Sequence, residues 1–249
     1  MVRTSPLGEV WIELSEVDST NNYAIARINE GLAEHGLVVR ADYQTQGRGQ
    51  QGNTWLSQES RNLLFSVVLD MRNQELSSQF ILNMAACLGV LRYLESALPA
   101  SSLSIKWPND IYAGNQKLSG ILIENLIRGN QWNHAIAGIG LNVNQKSFPG
   151  SFPATSMTLQ SGKNYRVKQV LKELLHCLGE SIQLFASDPK KVMEAYNTHL
   201  MNMGQELVFR KQSEWYKGVV EGVNENGQLC MLVEGSRKRY NHRDIEWIV

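Results

Sequence analysis

The stretch Lys106-Trp107-Pro108-Asn109-Asp110-Ile111-Tyr112, continued through Gly114-Asn115 into Lys117-Leu118-Ser119-Gly120-Ile121-Leu122-Ile123-Glu124, decides how this chain is read. Apolar runs on either side of Gly114-Asn115 predict a tight turn joining strands over 111–113 and 118–127. Folded together they gather two lysines and an Asn-Asp pair around room for one anionic ligand. Each residue alone has a plainer explanation: Lys117 as a hairpin lysine in solvent, Asn109-Asp110 after Pro108 as a common turn. In combination they outline a reaction centre.

Outward from that hairpin the alternation continues. Residues 132–143 predict a strand after an Arg128-Gly129-Asn130 turn, and 103–107 the strand before. Residues 37–43 read as a strand that delivers Gln44-Thr45-Gln46-Gly47-Arg48-Gly49-Gln50-Gln51-Gly52, with a second strand at 62–70. Glycines here let the backbone approach a ligand and turn N–H groups towards phosphate oxygens, although Gly clusters also mark ordinary turns. Ser19-Thr20-Asn21-Asn22 ahead of Tyr23-Ala24-Ile25-Ala26-Arg27-Ile28 signals a helix start, ending near Gly31. Phe80, Ile81, Met84, Ala85, Leu88, Leu91 and Leu94 recur at helical spacing and predict a long amphipathic helix packed on the sheet. Residues 145–165, rich in Ser, Gly and Pro, read as a loop, followed by helices at 167–186 and 189–200. The class is α+β: a mixed, largely antiparallel sheet flanked by helices. Beyond Met203-Gly204, short alternating strands at 206–210, 215–223, 227–233, 237–240 and 246–248 predict a small β-barrel, dividing the chain into 1–202 and 203–249.

The chain has 249 residues with Lys+Arg and Asp+Glu balanced at 24 each, so no overall field draws it to nucleic acid or an anionic membrane. No stretch approaches the run of about 20 apolar residues that a membrane span needs, and the N-terminus lacks the apolar run of a signal peptide. The expectation is a cytoplasmic protein. Cys87, Cys177 and Cys230 form no Cys-x-x-Cys pair and read as reduced structural residues, and the five histidines show no zinc-ligand spacing. Arg237-Lys238-Arg239 with Arg243, the basic cluster, reads as a solvated barrel face.

Together the Gly-rich segment and the Lys-Trp-Pro-Asn-Asp segment resemble the biotin protein ligases, and the likeness extends over nearly the whole chain. The resemblance implies a class II synthetase-like catalytic domain and an SH3-like C-terminal domain. It also implies a reaction in which ATP, with Mg²⁺ on its phosphates, activates biotin as biotinyl-5′-AMP for transfer to a lysine of a biotin carboxyl carrier protein domain. Activation is needed because a free carboxylate is a poor electrophile, and bringing it against the α-phosphate needs fixed cations.

At matching positions the resemblance implies that Lys117 touches both carboxylate and α-phosphate, and that Arg48 closes with its loop over the adenylate. Asp110 joins them as a catalytic candidate, with Asn109 beside it to orient Mg²⁺ or the incoming amine. Ser19, Thr20, Asn21 and Gln44 are implied to bond the ureido ring of biotin, with Arg48, Gly49, Gln50 and Lys117 completing that site. Gly47, Arg48, Trp55, Lys106, Asn109, Lys117 and Asn142 are implied to surround the nucleotide, Trp55 packing on adenine. Ser19 to Asn21 also serve as a helix cap, but one cap residue suffices. Some family members carry a further basic residue where this chain has Gln50 and Gln51, which bears on how tightly the adenylate is kept.

A lipoate ligase is the nearest rival; a thioester-using octanoyltransferase would need a cysteine nucleophile beside the site, and none lies near either motif. A biotin-sensing repressor would need a helix-turn-helix domain, and with a ligand motif beginning by Ser19 the expectation is no DNA binding. A non-catalytic binding module is compatible with the composition. An exposed sheet edge could pair two subunits into a homodimer or stay open.

Overall fold

The computed structural model describes residues 7–149 and 153–247. Its larger sheet has seven strands: β1 (Trp11–Val17), β2 (Val38–Gln44), β3 (Leu63–Asp70), β4 (Leu103–Lys106), β5 (Asp110–Ala113), β6 (Gln116–Arg128) and β7 (Gln131–Leu141), in the order β1-β2-β3-β7-β6-β5-β4. β1 runs parallel to β2, and every other neighbouring pair is antiparallel. The mixed, largely antiparallel sheet is therefore as the sequence predicts. β1 itself escaped the sequence reading: as an edge strand it is buried nowhere along its length, which blurs its period-two signal.

Helices cover both faces. On one lies α1 (Thr20–Asn29), whose Ala24 packs with Val39, Val68 and Ile136. On the other lie α2 (Gln79–Ala97), α4 (Val167–Ser187) and α5 (Pro189–Thr198). Successive side chains of a strand point to opposite faces, and β3 shows the division: Phe65, Val67 and Leu69 join the core under α2, whereas Ser66 and Val68 face α1.

The long helix differs from expectation. Residues 81–91 of α2 are all buried, because the helix is clamped between the sheet and the α4–α5 pair, so it has no solvent face over that span. By length and composition Leu76–Ala97 is apolar enough to cross a bilayer, contrary to the sequence reading, but 72% of that window is buried inside the protein. α4 is amphipathic, with Val170, Leu171, Leu174, Leu175, Leu178, Ile182 and Phe185 buried at three- and four-residue spacing. Within the expected loop at 145–165 sits a short helix, α3 (Met157–Ser161), capped by Ser156 Oγ accepting from Leu159 N at 3.2 Å and closed by Gly162 at φ 73°.

The second sheet comprises β8 (Glu206–Lys211), β9 (Glu214–Val223), β10 (Leu229–Val233), β11 (Ser236–Tyr240) and β12 (Glu246–Trp247), antiparallel in the order β11-β10-β9-β8-β12. Its strands follow the sequence expectation, although β11 and β12 form the ends of the order without pairing to each other among the described residues; Ile248, expected in the last strand, lies outside them. Side-chain hydrogen bonds help pin the sheet to the rest of the chain. Asn197 on α5 bonds both backbone groups of Val223, at 2.7 and 3.0 Å, and the Trp107 indole donates to Gly227 O at 2.9 Å.

Candidate functional site

A cavity of about 250 Å³ opens on the α1 face of the large sheet, room for one small ligand. Its walls come from the start of α1, the loop after β2, the segment between β4 and β5, the paired strands β6 and β7, and His242 beyond β11. Its floor is set by glycines. Gly120 on β6 pairs with Gly140 on β7, and Leu122 with Gly138, so the sheet offers almost no side chains there. The vacated space holds Trp55 and Asn21: a β-carbon on Gly140 would stand 2.7 Å from Trp55 Cζ2, and one on Gly138 would stand 2.9 Å from Asn21 Cγ.

One end of the cavity is polar and uncharged. Ser19 occupies the N-cap position of α1 without a side-chain capping bond. The orphan amide of Thr20 is instead met by Gln44 Oε1 at 2.7 Å, which also accepts from Thr20 Oγ1 at 3.0 Å. Ser66 Oγ lies 2.7 Å from Thr20 Oγ1 and 2.5 Å from Asn21 Oδ1, and Asn21 Nδ2 donates to Glu124 Oε2 at 2.7 Å. Ser19, Thr20, Asn21 and Ser66 are all buried. A buried wall of satisfied hydroxyls and amides is rigid, and it suits a flat neutral group carrying both donors and an acceptor.

The other end is cationic. Lys117 Nζ is 2.6 Å from Asp110 Oδ2 and lies over the Trp55 ring, 5.6 Å from its centroid. Backbone bonds fix it: Lys117 N donates to Pro153 O and Thr155 N donates to Lys117 O, each at 2.9 Å, while a bulge between Ile111 and Tyr112 adjusts the facing strand. Lys106 Nζ sits 5.3 Å over the Tyr112 ring, and burial pushes its pKa below the ordinary lysine value. Asn83 and Tyr196 both donate to Pro108 O at 2.9 Å, so the segment carrying Lys106, Asn109 and Asp110 is tethered from beneath. His242 meets Trp107 edge-on at 5.5 Å; partial desolvation, with Arg243 beside it, lowers its pKa.

Between the two ends runs the Gly-rich loop. Gly49 N donates to Asn53 O at 2.7 Å and Trp55 N to Gly47 O at 2.9 Å, folding Gly47–Trp55 back on itself around a tight turn at Gln50–Gly52. A β-carbon on Gly47 would lie 2.6 Å from Trp55 O, so this return requires glycine there. Arg48 reaches from the loop to Glu124 Oε2 at 2.6 Å.

The model of the biotin/lipoate A/B protein ligase family matches residues 14–142, a little over half of the chain. The chain belongs to that family. Among relatives of this biotin/lipoate ligase, a biotin–[acetyl-CoA-carboxylase] ligase from Mycobacterium tuberculosis is 28% identical over 92% of the chain and 86% of its own length. A bifunctional ligase/repressor BirA from Bacillus spizizenii is 29% identical over 98% of the chain and 76% of its own length. In three dimensions the chain is similar to a biotin protein ligase from Aquifex aeolicus, solved with biotin and ATP, at a TM-score of 0.79 and 31% identity over 96% of this chain and 98% of that one.

Most of the residues that the sequence singles out in this biotin/lipoate ligase converge on the cavity: Ser19, Thr20, Asn21, Gln44, Arg48, Gly49, Gln50, Trp55, Lys106, Asn109, Asp110 and Lys117 all line it. Two do not. Asn142 is buried with Nδ2 donating to Thr155 O at 3.0 Å, which ties the 153–157 segment to the end of β7. Gly47 lines an outer depression shared with residues 145–149. Asn109 lines the cavity, but its amide nitrogen is engaged by Ile121 O. The sequence reading assigned no role to Ser66, Glu124 or His242. Ser66 and His242 carry no local signal, being brought in by strand alternation and by the second sheet.

Proposed function

We propose that the chain is an ATP-dependent biotin protein ligase that makes biotinyl-5′-AMP and transfers the biotinyl group to a lysine of a carrier protein. The observation that carries this is the joining, in one cavity, of an uncharged amide-and-hydroxyl end to an end with two lysines, an arginine loop and the Trp55 ring. The Aquifex relative's complex with biotin and ATP and the carboxylase-ligase name of the Mycobacterium relative support it.

In this reading the Thr20, Asn21 and Gln44 groups hold the ureido ring and direct the valeryl chain along the glycine floor. A carboxylate oxygen attacks the α-phosphorus; the bond to the bridging oxygen breaks and pyrophosphate leaves with its electron pair. Lys117 sits where it neutralises both anions at once, and the Asp110 contact orients it. Trp55 offers its ring to adenine. Arg48 and its loop cover the mixed anhydride against water. The carrier's lysine amine then attacks the acyl carbon, AMP departs, and the amine's proton is lost.

Mg²⁺ belongs to the same proposal: Asp110 is the one carboxylate among the described lining residues, a hard oxygen ligand of the kind that holds this ion alongside substrate phosphates. When bound, the ion would supply charge neutralisation on the phosphates. A cytoplasmic location belongs to the same reading.

Against a cysteine-dependent acyltransferase, none of the three cysteines lines the cavity, and burial raises the Cys87 thiol far above its ordinary pKa. The test is exchange of labelled pyrophosphate into ATP: biotin is expected to drive it, and exchange driven by lipoate or octanoate but not biotin would overturn the proposal.

A further inference from the structure

Glu124 lies on the cavity face of β6, two residues beyond Leu122 and four beyond Gly120, and one of its oxygens carries two contacts. Arg48 approaches Oε2 at 2.6 Å and Asn21 Nδ2 donates to the same atom at 2.7 Å. Asn21 belongs to the buried, hydrogen-bonded wall at the start of α1, whereas Arg48 stands on the loop with 38% of its side chain exposed. One carboxylate thus joins the buried wall to the Gly-rich loop.

Resting on the biotin ligase reading above, we infer that Glu124 is a positioning residue that couples biotin at the Asn21 wall to closure of the Gly47–Trp55 loop. It acts through its two partners. A group bonded to Asn21 restrains that amide, the restrained amide restrains the carboxylate, and the carboxylate then offers Arg48 a fixed, charged target. By reciprocity, a loop held by Arg48 tightens biotin binding by the same factor that biotin tightens the loop. Glu124 therefore readies the loop over the acid before nucleotide arrives.

The test uses the whole chain, without ATP, and reads hydrogen exchange at residues 47–55 together with biotin affinity by calorimetry. In the wild type biotin is expected to slow exchange across the loop. E124Q keeps the shape but removes the charge; it should still bind biotin, about fivefold more weakly, and lose most of that slowing. E124D, which keeps the charge on a shorter arm, should recover part of it and keeps the inference testable if E124Q folds poorly. R48Q/E124Q should bind biotin no more weakly than R48Q alone, and additive losses would contradict coupling through Arg48. A lowered melting temperature with biotin-dependent slowing intact would reduce Glu124 to a structural role and overturn the inference. A wild type that binds no biotin would instead sink the functional reading itself.

Discussion

The indole of Trp55 lies against Gly140, with Cζ2 and Nε1 at 2.7 and 2.8 Å from the place a β-carbon of that residue would occupy. Two residues earlier on the same strand, Gly138 gives the equivalent room to Asn21. Adjacent glycines on one face thus serve the two ends of the cavity. Gly140→Ala is expected to displace Trp55 and raise KM for ATP about tenfold with little effect on biotin affinity, while Gly138→Ala displaces Asn21 and weakens biotin instead. Calorimetric biotin affinity and steady-state KM for ATP separate the two; equal effects of both variants on both ligands would contradict the division.

Lys117→Ala is expected to lower the rate of adenylate formation by about 10²–10³-fold, the usual cost of removing one preorganised electrostatic contact. The fold should survive, because the backbone bonds to Pro153 and Thr155 do not depend on the side chain. Pyrophosphate release in a single turnover, with a melting curve alongside, checks this; unchanged adenylation would remove the assigned role.

For Arg48 the expectation is retention rather than formation. Arg48→Ala removes the contact with Glu124 and the cover it gives the anhydride, so free biotinyl-AMP should appear in solution faster than from the wild type. The measurement is the dissociation rate of preformed adenylate, and an unchanged rate would count against loop closure through this residue.

Lys106 supplies a pH dependence. Burial lowers its pKa from the ordinary 10.5, so its ammonium loses its proton at lower pH than an exposed lysine would. Between the lowered value and 10.5 the unfolded chain binds more protons than the folded one, so the Lys106 contribution to stability rises with pH through that window. Its attraction for phosphates runs the opposite way, weakening as the ammonium is lost. ATP affinity is therefore predicted to fall on the alkaline side, and Lys106→Arg to move that limb to higher pH; superimposable profiles would contradict the assignment.

Much of this was legible in sequence because it is local. The hairpin around Gly114-Asn115, the Ser19 helix start and the Gly47–Gly52 loop each announce themselves within a few residues. α2 was misread as amphipathic because periodicity reports which residues are apolar, not whether a second layer of helices covers the polar-looking side; Asn83 looks like a solvent residue but is buried on Pro108 O. α3 is too short for its period to register, although Ser156 and Gly162 mark its ends. Among the site residues, Thr20, Gln44 and Lys117 sit in motifs, whereas Ser66, which backs Thr20 and Asn21, and His242, which lines the cavity, are brought in by tertiary placement alone. Asn142 shows the converse: the resemblance places it by the nucleotide, but its amide donates to the Thr155 carbonyl.

The most direct test of the central claim is the mass of an acceptor. The purified chain, ATP, Mg²⁺ and a biotin carboxyl carrier domain are incubated with biotin, and in parallel with lipoate or octanoate. An ATP-dependent gain equal to one biotinyl group on the acceptor lysine is the predicted result. A lipoyl or octanoyl gain without a biotinyl one, or no gain from biotin at all, would contradict the assignment.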